Sequence, residues 1–163
     1  MIKDIIEYEG KKVEIRKKIL AFITFNGKFL ALRNKSSPEH GGHFWFVVTG
    51  YVEKQESDEE AVMREILEET GLKTAKIIDL RWGSVYNWKN EVCEEHNFLA
   101  FVDEQKIIRN EEHDAFGWLS LDDFVKTIRW DDDKIILIKV LEKAIKYEHH
   151  FTKRKIIDYR GRS

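Results

Sequence analysis

The sequence predicts an α/β protein built on a mixed β-sheet between helices. Three observations carry that expectation. The run "KKILAFITFNGKFLALR" is two β-rich segments joined by Asn26-Gly27, residues that both tolerate positive φ and so favour a two-residue hairpin. Residues 57–70 carry signals for both ends of a helix: Ser57 with Glu60 three positions later forms a capping box, and Gly71 supplies a left-handed stop. Toward the other end, "DDDKIILIKVLEKAIKYEHH" is amphipathic at helical period and opens on acids, which suit the positive end of a helix dipole.

The remaining elements follow in order. "MIKDIIEYEGKKVEIRKK" is broken by charge every few residues and lacks the apolar core of a signal peptide. After the hairpin, "NKSSPEHGGH" reads as a loop around Pro38, and "FWFVVTG" as a buried strand that ends on Gly50. Beyond the capped helix, "AKIIDLRWGSVYNW" and "EEHNFLAFVD" are β candidates. "FGWLSL" is a short strand running into "SLDDFVKTI", where Ser120 or Asp122 caps a helical turn. This order is not a regular βαβ alternation, which argues against a doubly wound parallel sheet.

A length of 163 residues fits one domain, read as 1–149, followed by a basic tail, 150–163, that carries Lys153, Arg154, Lys155, Arg160 and Arg162. An apolar content of 42% is ordinary for a folded protein, and a net charge of −2 exerts no overall pull toward nucleic acid or anionic membrane. Partners must therefore be argued from local sites. The single cysteine, Cys93, has no internal partner and reads as a small core or strand residue. No run reaches membrane-spanning length, and the expected location is cytoplasmic.

Chemistry concentrates on the helix at 57–70. At about 100° per residue, Val62, Met63, Ile66 and Leu67 share one face, expected to be the buried one. Glu65 and Glu69 lie along one border of it, with Glu68 just beyond. A like-charged pair four apart costs only about 0.2–0.5 kcal/mol on an exposed helix, so a solvated acidic face stands as the plain alternative. At the edge of a core the cost is larger, because each charge raises its neighbours' affinity for protons. A hard divalent cation removes that cost, and oxygen ligands select Mg²⁺, with Mn²⁺ as a substitute.

The complete pattern is more specific. Gly50, five residues, Glu56, seven residues, Arg64-Glu65-Ile66, one residue, Glu68-Glu69, one residue and Gly71-Leu72 reproduce every defined position of G-x5-E-x7-R-E-U-x-E-E-x-G-U, with U aliphatic. The sequence here resembles the Nudix hydrolases, over about residues 15 to 145. That resemblance implies an α/β/α sandwich in which the motif forms a loop–helix–loop. It implies an Mg²⁺-dependent, MutT-like pyrophosphohydrolase acting on a nucleoside diphosphate linked to a further group. By the same resemblance Glu65 and Glu69 are metal ligands, and Glu68 is a further ligand or the water-activating base. Glu56 and Arg64 pair to hold the loop against the helix. Gly50 and Gly71 supply backbone shapes that a Cβ disfavours, with the Gly50 carbonyl a possible metal ligand.

"EEHDAFGWLSL" resembles the "EH…WL" segment of the dihydroneopterin triphosphate pyrophosphatase branch, also associated with dATP, and makes Glu112 a further metal ligand. Val48-Thr49-Gly50 stands where many relatives have Pro-Gly-Gly, which places Thr49 toward substrate. The expected substrate is thus a nucleoside triphosphate or a pterin triphosphate, cut to monophosphate and pyrophosphate. Alternatives within the family are dinucleoside polyphosphates and sugar nucleotides; outside catalysis, a nucleotide-binding regulator; and, from the basic tail, RNA 5′ ends. The chain lacks the proline that follows the motif in ADP-ribose hydrolases, and reads Trp88-Lys89-Asn90 where dinucleoside polyphosphate hydrolases often carry tyrosine. Gln55 replaces the glycine common before the motif glutamate.

Other candidates are weaker. Arg33 and Lys35 follow the hairpin and are candidate phosphate contacts. Trp45, Trp82, Tyr86 and Trp88 offer stacking surfaces for a base or pterin, against the commoner role of core aromatics. His40, His43, His96 and His113 show no zinc spacing, and His149 and His150 read as an exposed helix end.

Overall fold

The long second strand organises the molecule. In a computed structural model the chain is described over residues 3–8, 10–88, 91–108 and 111–148. Its elements are β1 (Lys3–Tyr8), β2 (Lys11–Phe25), β3 (Lys28–Asn34), β4 (Trp45–Phe46), β5 (Val48–Tyr51), α1 (Asp58–Thr70), β6 (Thr74–Trp88), β7 (Glu91–Val102), β8 (His113–Leu119), α2 (Leu121–Thr127) and α3 (Lys134–Lys146). β2 pairs in parallel with β7 along one edge. Along its other edge it pairs antiparallel with β1, then β5, then β3. β6 extends the sheet beyond β7, and β8 lies on β3.

The hairpin turns at Asn26 and Gly27, with φ of 49° and 74°, and Phe25 faces Lys28. The two positive φ values match the right-handed twist of the flanking strands. "FWFVVTG" is two short strands rather than one. β4 pairs with β3 and β5 with β2, so the chain changes partner at Val47. Ser120, not Asp122, caps α2, accepting from the Asp123 amide. Asp133 caps α3 by accepting from Ile135, so the acids before it stand outside the helix.

Burial on both faces of β2 makes this a three-layer structure. Ile19, Ala21 and Ile23 pack with Ala61, Val62, Ile66, Leu72 and Phe98 on the α1 side. Leu20 and Phe22 pack with Phe124, Val125, Leu137 and Leu141 on the side of α2 and α3. Side chains alternate across a strand, so an almost unbroken apolar run feeds two cores. Cys93 is buried in β7, as a small strand residue. No described helix is long and apolar enough to cross a membrane. The basic tail, His149 and His150 lie outside the described residues.

Candidate metal and phosphate site

α1 begins and ends as its sequence dictates. Ser57 accepts from the Glu60 amide at 3.1 Å while Glu60 accepts from the Ser57 amide at 2.9 Å, closing the capping box. Gly71 ends the helix at φ 77°, returning its N–H to the Leu67 carbonyl. Its orientation differs from the sequence reading. Met63 and Leu67 are 43% and 51% exposed, whereas Ala61, Val62, Ile66, Glu69 and Thr70 are buried. On the helical wheel the buried arc is turned so that Glu69 stands beside Val62 near its centre. Apolar periodicity alone places a carboxylate at the rim, because a hydrophobic pattern cannot register a buried charge.

Glu69 is only 7% exposed, and its Oε2 meets no hydrogen-bond partner among the described residues. Burial, followed by the carboxylates of Glu65, Glu112 and Glu68, raises its pKa to about 10. Without a counter-charge this group is held protonated. Glu112 and His113, at the start of β8, bring ligand atoms within 4.8 Å of those of Glu69. His113 Nε2 stands 3.7 Å from Glu69 Oε1, and burial lowers the histidine's pKa, favouring the neutral ring that can ligate a metal. Two carboxylates, one of them buried with an unpartnered oxygen, beside a neutral imidazole fit a divalent cation.

Arg64 holds the loop before the helix. Its Nε and Nη2 donate to the two oxygens of Glu56 at 2.7 and 2.9 Å, and Nη2 also donates to the Tyr51 carbonyl at 2.8 Å. Its Nη1 donates to Glu65 at 2.6 Å and to Glu68 at 3.4 Å. The guanidinium therefore orders the loop and part of the acidic cluster together, and its hydrogen bonds hold Glu56 well below the usual carboxylate pKa. Gly50 lies outside the left-handed region, unlike Gly71. A Cβ there would come within 2.2 Å of the Glu65 carboxyl carbon. Gly50 thus serves as space for Glu65, and a special backbone shape is not its purpose. Gln55 takes φ 67°, so it adopts the left-handed conformation for which glycine is the easier residue.

Most of the other candidate residues lie on the face of the sheet turned toward α2 and α3. Lys35 is exposed, and its backbone amide donates to the Glu112 carbonyl at 3.1 Å. Arg33 follows Leu32, an α1-side residue, and so turns to the opposite face, where its Nε donates to Asp114 at 2.7 Å. Thr49 pairs with Leu20 and likewise faces α2 and α3, away from Gly50 and Glu65. Trp45 and Trp82 pack into the α2–α3 core, and Tyr86, whose hydroxyl donates to Glu95, shares that face by register. None of these side chains is brought together with the carboxylates. The Trp88 side chain, Lys89 and Asn90 lie outside the described residues, as does the side chain of His40. His113 was missed by zinc-spacing logic; the available signal was its adjacency to Glu112 in a segment expected to enter the site.

A family model for the NUDIX domain matches residues 15–138. An octanoyltransferase from Myxococcus xanthus is 37% identical over 89 residues, 52% of this chain, but the match spans only 24% of that protein's length. The asymmetrical bis(5′-nucleosyl)-tetraphosphatase of Rattus norvegicus is 31% identical over 102 residues, 60% of this chain and 69% of the relative. Among solved structures, the E. coli dihydroneopterin triphosphate pyrophosphohydrolase has the same fold, with a TM-score of 0.56 and 24% identity over 70% of this chain and 86% of that one.

Proposed function

The chain belongs to the Nudix hydrolase family, and on that premise we propose that it is an Mg²⁺-dependent pyrophosphohydrolase cleaving a phosphoanhydride in a nucleoside or pterin polyphosphate. One observation carries the proposal: Glu69 is buried with an unpartnered oxygen, facing Glu112 and His113 from α1. A carboxylate so placed is costly to the fold unless a cation joins it. Glu65, Glu69 and Glu112 hold the ion, with Glu68 at the exposed margin, His113 alongside, and the Gly50 carbonyl as a further donor. Mn²⁺ substitutes for Mg²⁺. When bound, the cation supplies positive charge against the phosphate oxygens and makes water more acidic.

The chain's own residues do the rest. Arg64 orients Glu65 and keeps the acidic rim in register with the loop. Lys35, exposed near Glu112, attracts the polyphosphate from solution. A water oxygen bonds to phosphorus as the bond to the bridging oxygen breaks, and the departing phosphate keeps the electron pair. Glu68, the more exposed of the α1 carboxylates, takes the proton from that water. A triphosphate then yields a monophosphate and pyrophosphate with no covalent enzyme intermediate.

The "EH…WL" segment favours a triphosphate such as a deoxynucleoside or dihydroneopterin triphosphate. A second reading, hydrolysis of dinucleoside polyphosphates, is supported by the rat relative, whose name states that activity. A panel of nucleoside triphosphates, dihydroneopterin triphosphate, dinucleoside tetraphosphate and ADP-ribose, assayed for pyrophosphate and nucleotide products, separates them. Pyrophosphate release from a triphosphate is expected. Dominant turnover of the dinucleotide moves the assignment to the second reading. Binding of nucleotides without hydrolysis at any Mg²⁺ or Mn²⁺ level would leave a regulator and overturn the enzyme mechanism.

A further inference from the structure

Across the sheet from the loop, an imidazole sits between two carboxylates that the motif does not include. His96 on β7 places Nδ1 2.8 Å from Oδ2 of Asp58, the first residue of α1, and Nε2 2.6 Å from Oδ1 of Asp79 on β6. Its ring packs against Phe98 at 4.2 Å, in the α1-side core. Asp79 is aimed at the ring from a bulge in the β6–β7 ladder, where its Oδ1 also accepts from the Arg81 amide at 2.7 Å and Arg81 takes φ 54°.

We propose that His96 is a positioning residue: as an imidazolium donating to Asp58 and Asp79 together, it ties the first turn of α1 to the sheet and sets where Glu65 and Glu69 stand. This rests on the metal-hydrolase reading of α1 given above. With both carboxylates ionised, the geometry requires the second proton. Ionised carboxylates only accept, and a neutral imidazole carries one N–H, so two short contacts to two aspartates need both nitrogens to donate. The surrounding charges agree. Burial alone would lower the histidine's pKa, but Asp58 and Asp79 outweigh it and leave about 9. Burial would raise that of Asp79, yet the His96 hydrogen bond brings the net shift downward. The charged groups that face the ring's side from the elements around it are Asp58 of α1, Asp79 and Arg81 of β6, and Lys17 with Glu94 two pairs along the β2–β7 ladder.

Two latches therefore act on α1 from opposite sides. Arg64 fastens it to the loop and the end of β5; His96 fastens its first turn to β6 and β7. A helix is stiff over two to three turns, so a displacement at Asp58 reaches Glu65 and Glu69. Loss of the ring proton turns one contact into two facing acceptors and loosens that latch.

The test is Mg²⁺ binding without nucleotide, by calorimetry on the full chain, for wild type, His96→Gln and Asp79→Asn at about pH 7.5 and about pH 9.5. The ratio of variant to wild-type Kd is the readout, because proton exchange at the metal carboxylates cancels in it. For His96→Gln the ratio is expected to be about tenfold at the lower pH, the usual cost of losing an outer support, and about twofold at the higher one. Asp79→Asn lets a neutral ring accept from the amide while still donating to Asp58. It should match wild type at the lower pH and bind more tightly than wild type at the higher. A His96→Gln ratio near one, or one that is the same at both pH values, overturns the positioning role. Should His96→Gln fail to fold, an Asp79→Asn ratio unchanged between the two pH values does the same. Wild type that takes up no Mg²⁺ sinks the metal-hydrolase reading as well, whereas tight binding with a pH-independent ratio sinks only this inference.

Discussion

Glu69 shows how a single residue can work against the fold that carries it. Its carboxyl is enclosed by protein on α1's inner face, among the carboxylates of Glu65, Glu68 and Glu112, and the cost falls on the metal-free protein. Replacing it with glutamine removes the cost together with the ligand. Thermal unfolding of Glu69→Gln should show metal-free stability equal to wild type or up to about 1 kcal/mol higher. The gain of about 2.7 kcal/mol that wild type draws from Mg²⁺ at a hundred times its Kd should vanish, and turnover should fall about a hundredfold or more. A variant that still gains stability from Mg²⁺ would remove Glu69 from the site. Gly50 makes the complementary point. A methyl there meets the flexible end of Glu65, not backbone, so Gly50→Ala should unfold within about 1 kcal/mol of wild type while losing at least about tenfold in activity. Equal losses of stability and activity would mean that Gly50 serves the backbone after all.

At the scale of an element, the loop and helix of residues 50–71 form one mechanical unit. Its ends are local matters: a capping box, a left-handed glycine and an arginine that gathers Glu56, Glu65 and the Tyr51 carbonyl. These depend on residues close in sequence, which is why spacing alone located the helix and its carboxylates. The helix's rotation was not legible. Met63 and Leu67 follow the apolar period yet face outward, because the sheet selects the arc holding Val62, Ile66 and Glu69. Gln55 marks where the loop departs from ease. At φ 67° a side chain costs about 1 kcal/mol relative to glycine, partly offset by glycine's greater entropy when unfolded. Gln55→Gly should therefore raise stability by up to about 1 kcal/mol in chemical denaturation, and a clear loss would show that Gln55 makes a compensating contact.

For the whole molecule, the sheet is a partition. The carboxylates, His113 and His96 lie on or beside the α1 face, while Thr49, Arg33 and the aromatic candidates Trp45, Trp82 and Tyr86 belong to the other. One consequence concerns pH. His96 has its pKa raised from 6.5 to about 9 in the folded chain, so its contribution to stability is complete below its unfolded value and is lost as pH rises through about 9. That contribution is on the order of 3 kcal/mol. Denaturant midpoints should fall between about pH 6.5 and 9 in wild type, and fall less in His96→Gln; parallel curves would show that the ring bears no such proton. Strand-by-strand patterning was enough to foresee a mixed sheet between helices, and the spaced glutamates were enough to foresee their chemistry. Both are written in neighbouring residues, through backbone preference, capping and periodicity. Only packing decided that Glu69 is buried, that Gly50 makes room for Glu65, that His113 joins Glu112, and that His96 bridges α1 to β6. Those relations join residues dozens of positions apart, and burial is a property of the assembled layers, which no stretch of chain possesses before the sheet closes around it.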